Sequence, residues 1–262
     1  MNLRAMTSGL SRERKNTLIK VYREMGWLFK WLRRAWLRGG IEDRLPSIRG
    51  RTWRTALSPR LHVALANGAI NYTYRGVRMI KNPIDMALYQ KLLFELKPRT
   101  VIEIGTRDGG TACWFGDHMN LFGLPGMVVS IDINPPNRPY CCPENVTFLR
   151  GDEGDLGAML FKFDCLPHPW LVINDASHSE PAMLRCMNFL HRLLAKGDYL
   201  IVEDGFLTEA GLDWDGERKG GPGLAIARFL ETWPSLYQVD ARYCDHFGKN
   251  VTANPNGYIK RL

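Results

Sequence analysis

Ten residues, Val101-Ile102-Glu103-Ile104-Gly105-Thr106-Arg107-Asp108-Gly109-Gly110, constrain this 262-residue chain more than any others. They read as a short apolar strand carrying an acidic residue. A glycine turn follows, and then a helix opens at Thr111-Ala112-Cys113-Trp114-Phe115. In α/β folds ligands bind where a strand's carboxyl end meets the next helix's N-terminus. Glycines at that point let backbone approach a ligand closely. The spacing Gly105-x-x-x-Gly109-Gly110 is not G-x-G-x-x-G, so the pyrophosphate fingerprint is missing. A carboxylate at such a strand end suits a ligand with an ammonium group and a ribose, the layout of an S-adenosylmethionine site. A plain buried strand and glycine turn is the alternative for this motif taken alone.

Further apolar strands repeat the pattern. Residues 126–131 end at Asp132, a little over twenty residues beyond the glycine turn, where an acid is placed to accept from ribose hydroxyls. Residues 145–150 end in Gly151-Asp152-Glu153, residues 170–174 in Asp175, and residues 197–202 in Glu203-Asp204-Gly205. Acids are disfavoured within strands and repel when crowded. Their gathering on one sheet edge therefore points to ribose, ammonium and metal ligands. Helices are expected over about 111–122, 154–163, 180–196 and 224–232. In 180–196 the residues Met183, Leu184, Met187, Leu190, Leu193 and Leu194 keep helical spacing. The alternation predicts a Rossmann-like, doubly wound, mostly parallel sheet. Tyr237–Asp240 and Gly257–Lys260 are expected to add a closing antiparallel pair.

Charge divides the chain. Residues 1–60 hold fifteen Lys and Arg against four Asp and Glu, a net of +11, whereas the whole chain is +8. Within residues 18–38, Leu18, Val21, Met25, Leu28, Phe29, Leu32 and Trp36 fall at helical spacing beside Arg23, Lys30, Arg33, Arg34 and Arg38 and two further tryptophans. This basic amphipathic helix suits peripheral contact with an anionic membrane surface. Packing on its own domain or on another subunit of a homo-oligomer is the plainer alternative. No nucleic-acid fold signature accompanies the charge, so no nucleic-acid partner is expected. Residues 39–60 read as a linker, which sets a basic helical extension over 1–60 before a catalytic domain over 61–262. No apolar run reaches transmembrane length and no signal peptide is evident. Six cysteines without C-x-x-C spacing read as free thiols of the cytoplasm, and the helix allows a place at the inner face of the cell membrane.

The chemistry gathers at Asp175-Ala176-Ser177-His178 and Glu203-Asp204. Asp175, Glu203 and Asp204 on neighbouring strand ends make a hard oxygen site suited to Mg²⁺. A cation there would bind a substrate hydroxyl and lower its pKa. His178, three residues past Asp175, is placed to take the proton as general base. Candidate cofactor-binding residues are Glu103, Gly105, Thr106, Gly109, Asp132 and Asp152.

The stretch Gly76-Val77-Arg78-Met79-Ile80-Lys81-Asn82-Pro83-Ile84-Asp85, with Glu95-Leu96-Lys97-Pro98, Gly109-Gly110-Thr111, Asp175-Ala176-Ser177-His178, Val202-Glu203-Asp204-Gly205 and Gly221-Pro222-Gly223-Leu224, resembles the cephalosporin hydroxylase family. Its members are also described as rhamnosyl O-methyltransferases. The likeness covers roughly residues 70–260 and leaves out the basic extension. It implies an S-adenosylmethionine-dependent O-methyltransferase in which Glu103, Gly105 and Asp132 contact the cofactor and Asp175, Glu203 and Asp204 hold Mg²⁺. The layout also resembles catechol O-methyltransferases, which place a lysine where this chain has His178. The acceptor implied is a sugar hydroxyl of a cell-surface glycan or glycolipid, or a secondary metabolite. Hydroxylation, suggested by the family's name, is one alternative, though no H-x-D with a distant His is present. A catalytically inactive glycan- or membrane-binding protein is the other.

Overall fold

A computed structural model describes residues 48–206 and 221–262. The basic helix expected over 18–38 lies outside the described residues. Helix α1 spans Pro59–Asn71 and starts where the Ser58 side chain accepts from the Leu61 amide and proline takes the first turn. A hairpin follows, β1 Thr73–Tyr74 and β2 Val77–Arg78. Arg75 and Gly76 form its turn at φ 50° and 82°, as a type I′ turn requires. Helix α2, Pro83–Leu96, repeats the capping device, with Asn82 accepting from the Ile84 amide. It buries Leu88, Tyr89, Leu92 and Leu93 completely. Each of these side chains stabilises the fold by roughly 1.5–3 kcal/mol relative to exposure.

The main sheet then alternates with helices: β3 Thr100–Ile104, α3 Gly110–Leu121, β4 Met127–Asp132, β5 Val146–Arg150, α4 Leu160–Phe163, β6 Trp170–Asn174, α5 Glu180–His191, β7 Tyr199–Val202, α6 Gly221–Thr232, β8 Tyr237–Val239, α7 Ala241–Cys244 and β9 Tyr258–Arg261. Its order is β5-β4-β3-β6-β7-β9-β8. The first five strands are parallel, and β9 runs antiparallel to both β7 and β8. The expected closing pair is thus present, and β9 lies inside it, beside β7. Strands β3, β6 and β7 are buried throughout, as central parallel strands covered on both faces must be. Reversal of strand order between β3 and β6 puts a topological switch point at their carboxyl ends.

Four sequence expectations shift. The helix expected to 196 ends at His191, and residues 193–198 turn instead, with the Ala195 and Trp170 amides donating to the Asp198 carboxylate. The segment expected as a helix over 154–163 is a 3-10 turn over Glu153–Met159 followed by the single helical turn of α4. Helix α6 begins at Gly221, three residues before the expected Leu224. Within the expected linker, residues 48–57 bind into the domain. Arg51 pairs with Asp245 and donates to Asn256, and Asn250 donates to the carbonyls of Thr52 and Arg54. Among the described residues no helix is long and apolar enough to cross a membrane. All six cysteines are unbridged thiols.

Candidate active site

The glycine turn after β3 is tied to its neighbours by backbone bonds. The Gly105 amide donates to Ile131 O and the Asp175 amide to Ile104 O, both at 2.8 Å. Gly105 has φ +101°, and a Cβ there would stand 2.1 Å from Asp175 O. Asp132 closes the turn from the next strand. Its Oδ2 accepts from the Thr106 and Arg107 amides at 3.0 Å, and its Oδ1 from Asn134 at 2.9 Å. Each carboxylate oxygen retains acceptor capacity beyond these bonds. Gly109, at φ +87°, leads into α3 without a side-chain cap, so the first-turn amides of α3 face the same edge. Asp152 is exposed and accepts locally from the Gly154 amide at 2.7 Å.

Glu103 lies beneath the turn, fully buried. Its Oε2 accepts from Ser130 Oγ at 2.5 Å, and Ser130 in turn meets Thr106 Oγ1 at 2.6 Å. Its Oε1 is buried with no hydrogen-bond partner. A buried acceptor left so is costly, and a donor carried by a ligand would relieve it. Burial pushes the Glu103 carboxyl from its usual 4.5 up to about 8, with Lys81 pulling the other way. Between these two values the unfolded chain has lost the proton that the folded chain still holds, so folding weakens as pH rises. Glu103→Gln should remove that dependence: between pH 4.5 and 8 the parent's stability should decline relative to the variant's. Urea midpoints across that range measure it, and parallel profiles would refute it.

The acid cluster lies at the ends of β6 and β7. Asp175, His178 and Asp204 each offer one ligand atom, and these atoms lie within 4.8 Å of one another. His178 Nε2 is 3.6 Å from Asp175 Oδ1 and 3.4 Å from Asp204 Oδ2, and the ring is buried. His178 and Asp204 both adopt positive φ, 54° and 56°. Strain of about 1–2 kcal/mol per residue persists only where surrounding structure fixes the conformation. Here the Glu203 amide donates to Asn174 O and the Asp204 amide to Asn254 Oδ1, both at 3.0 Å.

Glu203, expected beside Asp175 and Asp204 as a ligand, is placed differently. Its Oε2 accepts from Lys81 Nζ at 2.8 Å and its Oε1 from Tyr89 Oη at 2.6 Å. Lys81 Nζ also donates to Asp175 Oδ2. Burial, then Asp175, raises the Glu203 carboxyl to about 7 against the pull of Lys81. Burial likewise raises Asp175 and Asp204. For Lys81 burial disfavours the charge, but Asp175, Glu203 and Glu103 outweigh it and raise the ammonium above its usual range. Tyr89 accepts from Asn254 Nδ2 at 3.0 Å, and Asn254 also donates to Asp85. Buried Asp85 further accepts from Thr252, Tyr258 and the Ala253 amide. Sequence reasoning assigned no role to Lys81, Asp85, Tyr89 or Asn254. The readable signal was the four-residue spacing 85, 89, which stacks Asp85 and Tyr89 on one face of α2, with Lys81 just ahead of its cap. Two carboxylates that meet at one point, with the imidazole beside them, fit a divalent cation, and the carboxylates' mutual repulsion without one favours it.

A switch point with a glycine turn, a buried strand-end glutamate and a carboxylate–histidine cluster defines the Rossmann-like S-adenosylmethionine-dependent methyltransferase class. The solved structure described as cmcI-D160 Mg-SAM matches with a TM-score of 0.57 and 27% identity, over 84% of this chain and 82% of that one. The chain belongs to the Rhamnosyl O-methyltransferase/CmcI family, whose model matches residues 67–262, and it is an O-methyltransferase. The Rhamnosyl O-methyltransferase of Mycobacterium tuberculosis strain H37Rv is 34% identical over 199 residues, 72% of this chain and 78% of that protein. The Mycobacterium leprae protein of the same name is 32% identical over 194 residues, 72% of this chain and 82% of its own.

Proposed function

We propose that this protein methylates a hydroxyl of a sugar, on a glycan or glycolipid, using S-adenosylmethionine and Mg²⁺. The observation that carries the reading is the meeting of Asp175, His178 and Asp204 within 4.8 Å at the strand edge that also holds the glycine turn. When bound, the cofactor supplies an electrophilic methyl group and the cation lowers the pKa of the acceptor hydroxyl. Glu103, Gly105, Thr106, Gly109, Asp132 and Asp152 are the residues proposed to hold the cofactor. Glu103 Oε1 fits its ammonium group and Asp132 its ribose. Asp175 and Asp204 would hold the cation, with Glu203 in reserve behind Lys81. His178 Nε2, between the two aspartates, takes the hydroxyl proton as oxygen attacks carbon. Rate comes chiefly from holding oxygen, methyl and departing sulfur in line.

Hydroxylation fits this donor set less well. Non-haem iron oxygenases use two histidines and one carboxylate, whereas the cluster has one histidine and two carboxylates. Transfer of labelled methyl from S-adenosylmethionine to rhamnose-bearing glycolipids tests the assignment. Activity should vanish with excess EDTA and return with Mg²⁺ or Mn²⁺. Full transfer in EDTA would remove the cation from the mechanism. Cofactor binding without transfer to any sugar would reject the acceptor class.

Residues 18–38 are proposed to bring the domain to anionic lipid at the inner face of the cell membrane, where a glycolipid acceptor would be met. Deleting residues 1–40 should leave cofactor affinity unchanged and weaken binding to anionic liposomes at low salt, each lost basic residue contributing about 1 kcal/mol. Equal liposome binding would favour packing or subunit contact for this helix.

A further inference from the structure

The proposed reaction leaves the buried charge of Lys81 unused. Lys81 is 3% exposed and immediately precedes Asn82, the cap of α2. An ammonium group is rarely buried unless paired. Lys81 is paired twice, with Asp175 Oδ2 and, at 2.8 Å, with Glu203 Oε2. Two of the three acids gathered at this edge are therefore already holding a cation. Asp175 is divided between two duties: Oδ2 meets Lys81, and Oδ1 faces His178 Nε2. Both oxygens of Glu203 are engaged, since Tyr89 Oη donates to the second.

We propose that Lys81 is a resident counter-cation, which neutralises Asp175 and Glu203 in the metal-free protein and competes with the divalent cation for them. The inference rests on the cation reading given under Proposed function. Lys81 thereby sets metal affinity and keeps crowded acids compatible with a folded, metal-free site. The anatomy suits exchange. The cap bond from the Ile84 amide to Asn82 fixes the start of α2 next to Lys81, while the ammonium rides on a flexible four-carbon stem and can yield without moving α2. Asn254 holds Tyr89 Oη through its Nδ2 and the Asp204 amide through its Oδ1, so the carboxylates have fixed surroundings as the cation changes.

The test is Mn²⁺ titration of the full chain without S-adenosylmethionine, by calorimetry and by the electron paramagnetic resonance of free Mn²⁺. Lys81→Met should bind Mn²⁺ at least about tenfold more tightly than the parent, because one repelling charge is gone at close range. Its metal-free Tm should be lower than the parent's, and saturating Mn²⁺ should close the gap. A purely structural lysine would give the opposite, weaker metal binding. If Lys81→Met does not fold without metal, Lys81→Met/Glu203→Gln against Glu203→Gln alone carries the comparison. The amide can still accept from Tyr89 and removes one of the two carboxylates that Lys81 neutralises, so the double variant, with only Asp175 left uncompensated, should bind Mn²⁺ more tightly than the single one. Equal or weaker binding in these comparisons overturns the inference. A parent that binds no Mn²⁺ overturns the cation reading with it, whereas a parent that binds while both comparisons stay flat overturns the inference alone.

Discussion

Asp175→Ala is expected to lower methyl transfer at least about a thousandfold, the scale on which removing a group that organises transition-state charge acts. Asp175 has three functions at once. Its Oδ1 is 3.6 Å from His178 Nε2, its Oδ2 accepts from Lys81, and its amide ties β6 to Ile104 O. Alanine keeps the backbone bond and deletes both carboxylate contacts, so the buried ammonium is left with Glu203 alone. Cofactor affinity should change little, because the Glu103–Ser130–Thr106 chain and the Asp132 turn do not pass through this side chain. Single-turnover rates and Mn²⁺ affinity check the first part, and S-adenosylmethionine titration the second. A variant that keeps a tenth of the parent rate would take Asp175 out of the chemistry. Asp175→Asn separates shape from charge: loss close to that of alanine makes the charge decisive.

The sheet was legible because its strands are short, apolar and bounded. Residues 101–104, 128–131 and 170–174 are continuous buried runs, and each is closed by glycine or an acid, Gly105, Asp132 and Asp175. Helix ends were harder. The apolar spacing of Met183 to Leu194 continues past His191, but Asp198 draws the Ala195 amide into a turn and the helix stops. Periodicity records which face is buried, not where the backbone leaves the helix. Residues 48–57 read as linker because Gly, Pro and Arg dominate around them. Their partners, Asp245, Asn250 and Asn256, lie 194 to 205 residues away and leave no local trace.

The candidate site was legible to the extent that its residues follow strands. Strand ends share an edge, so Asp175, His178 and Asp204 could be placed together from sequence, and the structure brings them together. The side-chain direction of Glu203 could not be read. It depends on Lys81, just ahead of the cap of α2, and on Tyr89 within that helix, which precedes the sheet and carries no strand-end signal. A buried lysine also looks like any surface lysine in a linear pattern, because only its charged neighbours distinguish it.

Gly105→Ala carries the largest expected cost in stability, about 3–5 kcal/mol from left-handed strain plus overpacking. Two terms contribute, and another glycine separates them. At Gly197, φ is +97° but a Cβ would meet nothing within 4 Å, so Gly197→Ala tests the backbone term alone. At Gly105, φ is +101° and the Cβ would stand 2.1 Å from Asp175 O and 2.6 Å from Asp175 C. That neighbour is backbone and cannot rotate away. It is also held, since the Asp175 amide donates to Ile104 O. Relief requires β3 and β6 to separate just where the cofactor turn and the carboxylate cluster meet. Gly105→Ala should therefore lower Tm by about 6–20 °C, at 2–4 °C per kcal/mol for a domain of this size, and Gly197→Ala by well under half of that. Cofactor and Mn²⁺ affinity should fall together in Gly105→Ala, because one displaced backbone serves both. Calorimetry of the two variants measures the difference. Equal Tm losses would mean that the β3–β6 edge is soft enough to admit a methyl group, and the rigid contact of Gly105 with the Asp175 backbone would be wrong.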